Sequence, residues 1–205
     1  YVVPVLEIDG QKQDGTGYKI ATNIDEINPR KIAKMGVDEA LSKINSKSIE
    51  TGNYKIALYN EAMVSLLSAD ATQKGLSLLK DKENTIIASE NVTIVDNPLL
   101  ENGLSSAPFD DEGVATFRKE IVSKGKLTTL LHNLKTAHKA NTKSTGNGFK
   151  SSYASSVSVS PSNFYIEKGD KSFDEVLNTL GEGLLITEFA GLHSGANAIS
   201  GDFSL

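Results

Sequence analysis

The stretch Val114–Leu134, VATFRKEIVSKGKLTTLLHNL, indicates the fold class of this protein most clearly. Two runs rich in β-branched and other apolar residues flank Lys124-Gly125, a pair that suits a tight turn. The stretch therefore predicts two long antiparallel strands joined at this turn. His132 is expected on the second strand, and His138 in the turn that follows it.

Short strands are also predicted on both sides of this hairpin. Each is rich in β-branched or aromatic residues and ends near Asn, Pro or Gly, the residues that typically bound a strand. These segments are Tyr54–Tyr59, Ile86–Ala88, Val92–Val95, Phe164–Ile166 and Leu184–Phe189.

Three helices are predicted between the strands. Asn28-Pro29 supplies an N-cap residue and a proline at the first helical position, so a helix is expected from Pro29 to Asn45. A short buried helix over Glu61–Ser68 and a helix opened by a Ser172–Glu175 capping box complete the set. Strands dominate and no βαβ alternation is visible. We therefore expect an α+β fold with a curved, mainly antiparallel sheet and a few packed helices.

Composition excludes several classes of function. The 205 residues carry 21 basic and 26 acidic side chains, a formal net charge of −5, and so lack the basic surface that phosphate backbones require. The absence of Cys removes disulfides and thiolate ligands and is typical of a reducing compartment. No apolar run approaches the roughly 18–20 residues that span a bilayer. We expect a cytoplasmic protein that binds neither nucleic acid directly nor membranes.

The two ends suggest a piece of a longer protein. The sequence starts at Tyr1 inside a predicted strand and stops at Leu205 without a helix cap or a polar tail. We expect residues 1–27 to be the end of an N-terminal region or a linker. Residues 28–205 are expected to form the main domain, truncated at its C-terminal end.

Imidazole and nucleophile chemistry is poorly supported by the sequence. The His residues form no H-E-x-x-H motif, and His132 and His138 are six residues apart, which places them on different faces of any helix. His193-Ser194 lies in GLHSGAN, which is not the G-x-S-x-G pattern of a nucleophile elbow. We expect no catalytic residue and no metal ligand in this chain.

Two polar motifs remain as candidate sites. Asp110, Asp111 and Glu112 form a dense acidic cluster that could bind a hard cation. Such clusters more often accept backbone N–H groups of a turn, so we predict that this one braces the start of the long hairpin. The polar residues 141–162 are expected to stay outside the core. Within them, Ser144–Gly148 offers N–H groups to an anion but lacks the P-loop ending, so a plain turn is the alternative.

Taken in order, six motifs make the chain resemble the TldD/PmbA family, known as modulators of DNA gyrase and as metalloproteases and peptide-maturation factors. The resemblance runs from about Asp25 to the end and is strongest for the PmbA-like, or TldE-like, branch. The motifs are VTIVDNP (Val92–Pro98), APFDDEGVATFRKEIVSKGKL (Ala107–Leu127), TAHKA (Thr136–Ala140), KSTGNG (Lys143–Gly148), SNFYIEKGD (Ser162–Asp170) and ISGDFS (Ile199–Ser204).

The resemblance also separates this chain from the zinc-bearing branch. In TldD-like members an extended H-E-x-x-x-H-type zinc motif precedes the VTIVD-like strand. The corresponding stretch here, Asn60–Gly75, retains Glu61 but contains no His, and it looks short for the family between Ser68 and Gly75. A carboxylate without imidazole partners does not hold zinc. The resemblance thus implies a metal-free subunit, with zinc in a TldD-like partner.

The implied function is that of a subunit in a metalloprotease complex that matures peptides and degrades unfolded ones. A homodimer is a further possibility, and a stand-alone peptide-binding or regulatory protein is the alternative function. An extended peptide can add to a strand edge with little demand on its side chains. Candidate residues for lining such a groove are Ser144, Thr145, Gly146, Asn147 and Asn163. A turn and a solvated linker are the alternative for these residues.

Overall fold

The computed structural model describes residues 1–58, 79 and 82–187. Contacts divide the chain into two units, Tyr1–Asn53 and Tyr54–Leu205. The helix after residue 28 lies in the same compact unit as the strands before it. The predicted division of residues 1–27 from the main domain at 28–205 stays a prediction.

The first unit is a hairpin covered by one helix. Strands β1 (Val5–Ile8) and β2 (Gln11–Asp14) pair antiparallel, and helix α1 (Pro29–Ser42) contacts both. The helix begins where the sequence predicts, because the Asn28 side chain accepts a hydrogen bond from the Lys31 backbone N–H at 3.1 Å. A Cβ on Gly17 would stand 1.8 Å from the Ile32 carbonyl oxygen, so the close approach of chain and helix requires glycine there.

The second unit contains a four-stranded antiparallel sheet, in agreement with the predicted α+β class. The four strands are β4 (Ile94–Asp96), β5 (Lys119–Ser123), β6 (Lys126–Leu127) and β9 (Phe164–Ile166). They lie side by side in the order β6-β5-β4-β9. A second hairpin joins β7 (Gly148–Phe149) to β8 (Ser158–Val159).

The long hairpin exists, but its second strand is much shorter than predicted. Strand β6 has two residues, and beyond it the Thr128 hydroxyl bonds the carbonyl oxygens of Glu120 and Ile121. His132 consequently lies outside any strand. His138 lies in helix α2 (Leu134–Lys139) and not in a turn, because Asn133 and Thr136 form a capping box that starts a helix there. The predicted strand at Ile86 is reduced to one bridge with Lys126.

The apolar core of this unit lies around β5 and β6. Ile121, Val122 and Leu127 are buried together, and half-buried apolar side chains from neighbouring segments pack against them. These neighbours are Leu79, Ile94, Leu130, Leu131 and Phe164.

The last described elements form a small parallel pair with a helix. Strand β3 (Ile56–Leu58) pairs parallel with β10 (Leu184–Ile186), and helix α3 (Phe173–Leu180) contacts β3. The predicted capping box is confirmed, since Ser172 and Glu175 exchange hydrogen bonds at the start of α3. The predicted helix over Glu61–Ser68 and the end of the predicted strand at Phe189 lie outside the described residues. Among the helices of the described ranges, none has the length and apolar character needed to cross a bilayer.

Candidate functional site

The polar centre of the second unit is Asp96, the last residue of β4. Its side chain is fully buried, and each of its two carboxylate oxygens accepts two hydrogen bonds. One oxygen accepts the backbone N–H and the hydroxyl of Ser162 at 2.7 and 2.6 Å. The other accepts Lys119 Nζ at 3.1 Å and Asn147 Nδ2 at 2.8 Å. These bonds replace the water that a buried carboxylate loses, so the charge is accommodated inside the fold.

Lys119 is held in place by the register of the sheet. It begins β5 and lies directly opposite Asp96 in the antiparallel ladder, which puts both side chains on one face. Its Nζ also donates to Asn147 Oδ1 at 3.1 Å and lies 4.8 Å from the centre of the Phe117 ring. The ammonium group is therefore surrounded by a carboxylate, an amide oxygen and an aromatic face.

Asn147 completes this cluster and is fully buried. Its amide nitrogen donates to Asp96 and to the Ser160 carbonyl oxygen at 3.0 Å, and its amide oxygen accepts from Lys119 and from Thr145 Oγ1 at 2.8 Å. The side chain thus has its two donor and two acceptor positions engaged within the chain. The expectation that residues 141–162 remain outside the core is wrong at this point, because the tertiary structure supplies partners for the polar atoms.

The loop before Asn147 is fastened to the segment around His132. Thr145 donates its backbone N–H to the His132 carbonyl oxygen at 3.1 Å and accepts the His132 N–H at 2.7 Å. The Ser144 hydroxyl donates to the same carbonyl oxygen at 3.1 Å. Gly146 adopts a positive φ of 69°, and a Cβ there would stand 2.9 Å from the Ala115 carbonyl oxygen. Four of the five predicted groove residues are therefore brought together in a tightly anchored loop.

Asn163, the fifth predicted groove residue, fastens a different loop. Its Oδ1 accepts the Ser105 N–H at 3.0 Å, and its Nδ2 donates to the Asn97 carbonyl oxygen at 2.9 Å and to Ser106 Oγ at 2.8 Å. The side chain thus organises residues 97–106. Its neighbour Ser162, in contrast, is linked to the Ser144–Asn147 loop through Asp96.

The acidic cluster binds backbone N–H groups of three segments. Asp110 accepts the N–H groups of Glu112 and Val114 at 3.0 and 2.9 Å and that of Gly148 at 2.9 Å. Its two neighbours reach further, since Asp111 accepts the Lys150 N–H at 2.7 Å and Glu112 the Leu134 N–H at 2.7 Å. All three carboxylates therefore act as acceptors that hold loops together.

The His residues of the described part do not converge. His132 Nδ1 lies 3.3 Å from Thr136 Oγ1, whereas His138 is exposed in the last turn of α2. Within residues 1–58, 79 and 82–187, no group of three or more His, Asp or Glu is arranged to hold a metal ion. The sequence of Asn60–Gly75 offers carboxylates but no imidazole, so this stretch does not fit a zinc ion either.

A separate ion-pair cluster lies at the surface near the start of β5, where Arg118 precedes the strand and Glu120 belongs to it. Arg118 lies 3.3 Å from Glu120 and also pairs with Glu167, which follows β9. A hydrogen bond from Ser123 lowers the pKa of Glu120; burial opposes this change, and Arg118 adds to the lowering. This cluster links β5 to β9 across the sheet at the surface, where such pairs contribute little to stability.

Chemically, the buried cluster organises the fold around β4 and presents no reactive group to solvent. It ties three segments that are far apart in sequence to one carboxylate on β4. The predicted site residues did not include Asp96, Lys119 or Ser162. The available signals were an Asp that ends an apolar strand and a Lys inside the core-facing strand KEIVS.

Comparison with known proteins places this architecture in one family. The family model described as the PmbA/TldA metallopeptidase C-terminal domain matches residues 52–205. A PmbA metalloprotease homologue from Buchnera aphidicola is 30% identical over 215 aligned residues, covering all of this chain and 45% of the relative.

Solved structures agree with this match. The crystal structure of a candidate modulator of a DNA gyrase from Thermotoga maritima superposes with a TM-score of 0.85 at 41% identity, covering 96% of this chain and 46% of that one. TldE from Thermococcus kodakarensis shares the fold, with a TM-score of 0.72 at 21% identity over 91% of this chain and 44% of that one. The chain spans a little under half the length of these relatives. It belongs to the PmbA/TldD metallopeptidase family, whose C-terminal domain it contains.

Proposed function

We propose that the whole protein is a metal-free subunit of a PmbA/TldD-type metalloprotease complex. In this complex a TldD-like partner supplies the zinc, and the substrates are unfolded peptides and peptides undergoing maturation. The observation that carries the proposal is the stretch Asn60–Gly75. It retains Glu61 but has no His or Cys, while the motifs on its C-terminal side fold around the Asp96 cluster.

The strand β9 is the element that we propose to bind peptide. It forms one edge of the four-stranded sheet in the described residues. Asn163 and Glu167 bond inward to β4, through the Asn97 N–H and the Thr93 carbonyl oxygen at 2.9 and 2.8 Å. By the alternation of an antiparallel ladder, the backbone groups of Phe164 and Ile166 point outward, where an extended peptide can pair with them.

In this proposal the five groove candidates position the edge strand β9, and the backbone of β9, not these side chains, forms the hydrogen bonds to the peptide. Ser144, Thr145, Gly146 and Asn147 hold the loop that positions Ser162 through Asp96, and Ser162 leads directly into β9. Asn163 fixes the loop of residues 97–106 beside the start of the same strand. Each residue thus supports the backbone path into the edge strand.

The test combines the full-length protein with its zinc-bearing relative and follows cleavage of an unfolded peptide. We expect activity to require both proteins. Ile166→Pro removes an outward N–H from β9 and should reduce cleavage while leaving the complex assembled. Lys168→Pro, placed beyond the β9 strand, is the matched control. Full activity of the relative alone, unchanged by adding this protein, would show that the proposal is wrong.

A stand-alone regulatory or peptide-binding role is the second candidate. It is favoured by the Thermotoga maritima relative, which is described as a candidate modulator of a DNA gyrase. The net charge of −5 does not favour direct binding to DNA, so such a role would act through a protein or peptide. Co-purification with a zinc-bearing relative supports the subunit role, whereas a homodimer or monomer without it supports this second role. For both roles we propose a cytoplasmic location, in keeping with a chain that lacks Cys.

A further inference from the structure

Lys119, Asn147 and Asp96 form a buried cluster whose chemistry the proposed function does not use. Lys119 Nζ lies 3.1 Å from Asn147 Oδ1, and Asp96 Oδ2 lies 3.1 Å from Nζ and 2.8 Å from Asn147 Nδ2. Asp96 and Asn147 are fully buried, and the Lys119 side chain is 4% exposed. An amine, a primary amide and a carboxylate are thus in mutual contact away from water.

We infer that Lys119 and Asn147 are a covalent modification site, at which an intramolecular isopeptide bond forms between Lys119 Nζ and Asn147 Cγ. Asp96 carries the protons. The bond would join the first residue of β5 to the loop before β7, two segments 28 residues apart that now meet only through hydrogen bonds.

The reaction balances without an oxidant or any added reagent. Asp96 accepts a proton from the Lys119 ammonium, and the neutral amine attacks Asn147 Cγ, the carbon bonded to the oxygen that Nζ already contacts. The bond from Cγ to Nδ2 then breaks. The leaving nitrogen takes up two protons that came from Lys119, passed through Asp96, and departs as ammonium. The products are a secondary amide and ammonium, and Asp96 ends as a carboxylate that accepts the new amide N–H.

Three features of the cluster favour formation of this bond over an ion pair that stays unreacted. Fixed neighbours react as if present at very high concentration, and here the reacting groups are held by the β4–β5 register and by the Ser160 carbonyl oxygen. Burial also keeps bulk water away from the Asn147 amide carbon, so hydrolysis does not compete with the amine. Finally, the amide carbon of Asn147 carries no negative charge, whereas the Asp96 carboxylate repels a nucleophile, which selects Asn147 as the acceptor.

Intact-mass measurement of the purified full-length protein tests the inference directly. We expect the mass to be lower than the sequence mass by one ammonia. Trypsin does not cut after an acylated lysine, so the digest should contain one branched peptide that joins residues 119–124 to residues 144–150. Lys119→Arg and Asp96→Asn should each restore the full mass. Lys34→Arg, in the exposed Lys34–Asp38 pair, is the control and should keep the loss.

Several results would overturn the inference, and the first two need only the protein without substitutions. A full sequence mass shows that no bond forms. Loss of one water shows that Asp96, not Asn147, is the acceptor. Succinimide formation at an Asn-Gly pair such as Asn102-Gly103 also releases ammonia, but it leaves a linear peptide and survives Lys119→Arg. A mass loss with those properties would assign the chemistry to that pair instead.

Discussion

Lys119 lies directly opposite Asp96 in the antiparallel ladder of β4 and β5, and its Nζ is 3.1 Å from the Asp96 carboxylate. The pair is buried, and Asn147 and Ser162 satisfy the remaining positions of the carboxylate. A buried pair of this kind is costly to break from one side, because the remaining charge is left without a partner. It therefore fixes the relative positions of β4, β5 and the two loops.

The first prediction concerns the removal of one charge. Asp96→Leu leaves the Lys119 ammonium buried and should lower the free energy of unfolding by about 3–5 kcal/mol in urea titrations. The double variant Asp96→Leu with Lys119→Met removes both charges and should recover part of that loss. Asp38→Leu, which breaks an exposed pair with Lys34, should cost less than about 1 kcal/mol. Equal losses for the buried and the exposed pair would contradict this account.

The second prediction separates two neighbouring carboxylates. Asp110 is buried and accepts three backbone N–H groups, so Asp110→Ala should destabilise the protein by about 1–3 kcal/mol. Asp111 is exposed and accepts the Lys150 N–H, so Asp111→Ala should cost less than about 1 kcal/mol. Thermal melts of the two variants measure the difference. Unchanged melting together with lost activity of the complex would identify a functional cluster instead.

The third prediction concerns the loop of residues 97–106. Asn163→Ala removes the acceptor of the Ser105 N–H and both donors to this loop. We expect amide exchange at Ser105 to accelerate on the order of tenfold, equivalent to about 1.4 kcal/mol of lost protection. Ser106→Ala removes one of these bonds and the bond from Ser106 Oγ to the Leu100 carbonyl oxygen, but it keeps the acceptor of the Ser105 N–H, so its effect at Ser105 should be smaller. Exchange that is identical in both variants would show that Asn163 does not hold the loop.

The fourth prediction is a pH dependence in the first unit. Burial opposes ionisation of Glu39, but hydrogen bonds from Lys43 and the Thr16 N–H outweigh it and lower the pKa of Glu39. A lowered carboxyl pKa adds stability that is present above the pKa of the unfolded chain and is lost as the pH falls through the folded value.

The corresponding measurement is amide exchange at Thr16, corrected for its intrinsic pH dependence. Protection of the Thr16 N–H should fall as the pH drops below the usual pKa range of a glutamate side chain. Glu39→Gln should flatten this profile, because the neutral amide no longer titrates. Asp38→Asn should leave it unchanged, since the Asp38 pair with Lys34 is exposed. A profile that stays steep in Glu39→Gln would assign the pH dependence to another group.

Local signals in the sequence were sufficient for the helix starts and for the hairpin turn. Asn28 and the Ser172–Glu175 box cap their own helices, and Lys124 and Gly125 both adopt the positive φ that this tight turn needs. These features depend on residues within three or four positions of each other, so short-range chemistry determines them. The length of β6 was not predictable in this way, because it depends on how far the strand pairs with β5, and the regular pairing covers only Lys126 and Leu127.

The sequence by itself determined the caps, the turn, the order of the family motifs and the lack of imidazole in Asn60–Gly75. Only the tertiary structure decided that Asp96, Lys119 and Asn147 meet, since they are separated by 23 and 28 residues. A polar residue between polar neighbours is expected to lie in solvent, because the sequence does not show which distant residues will supply its hydrogen-bonding partners. Asn147 is buried for that reason, because the fold brings four hydrogen-bonding partners to a side chain that would otherwise need water.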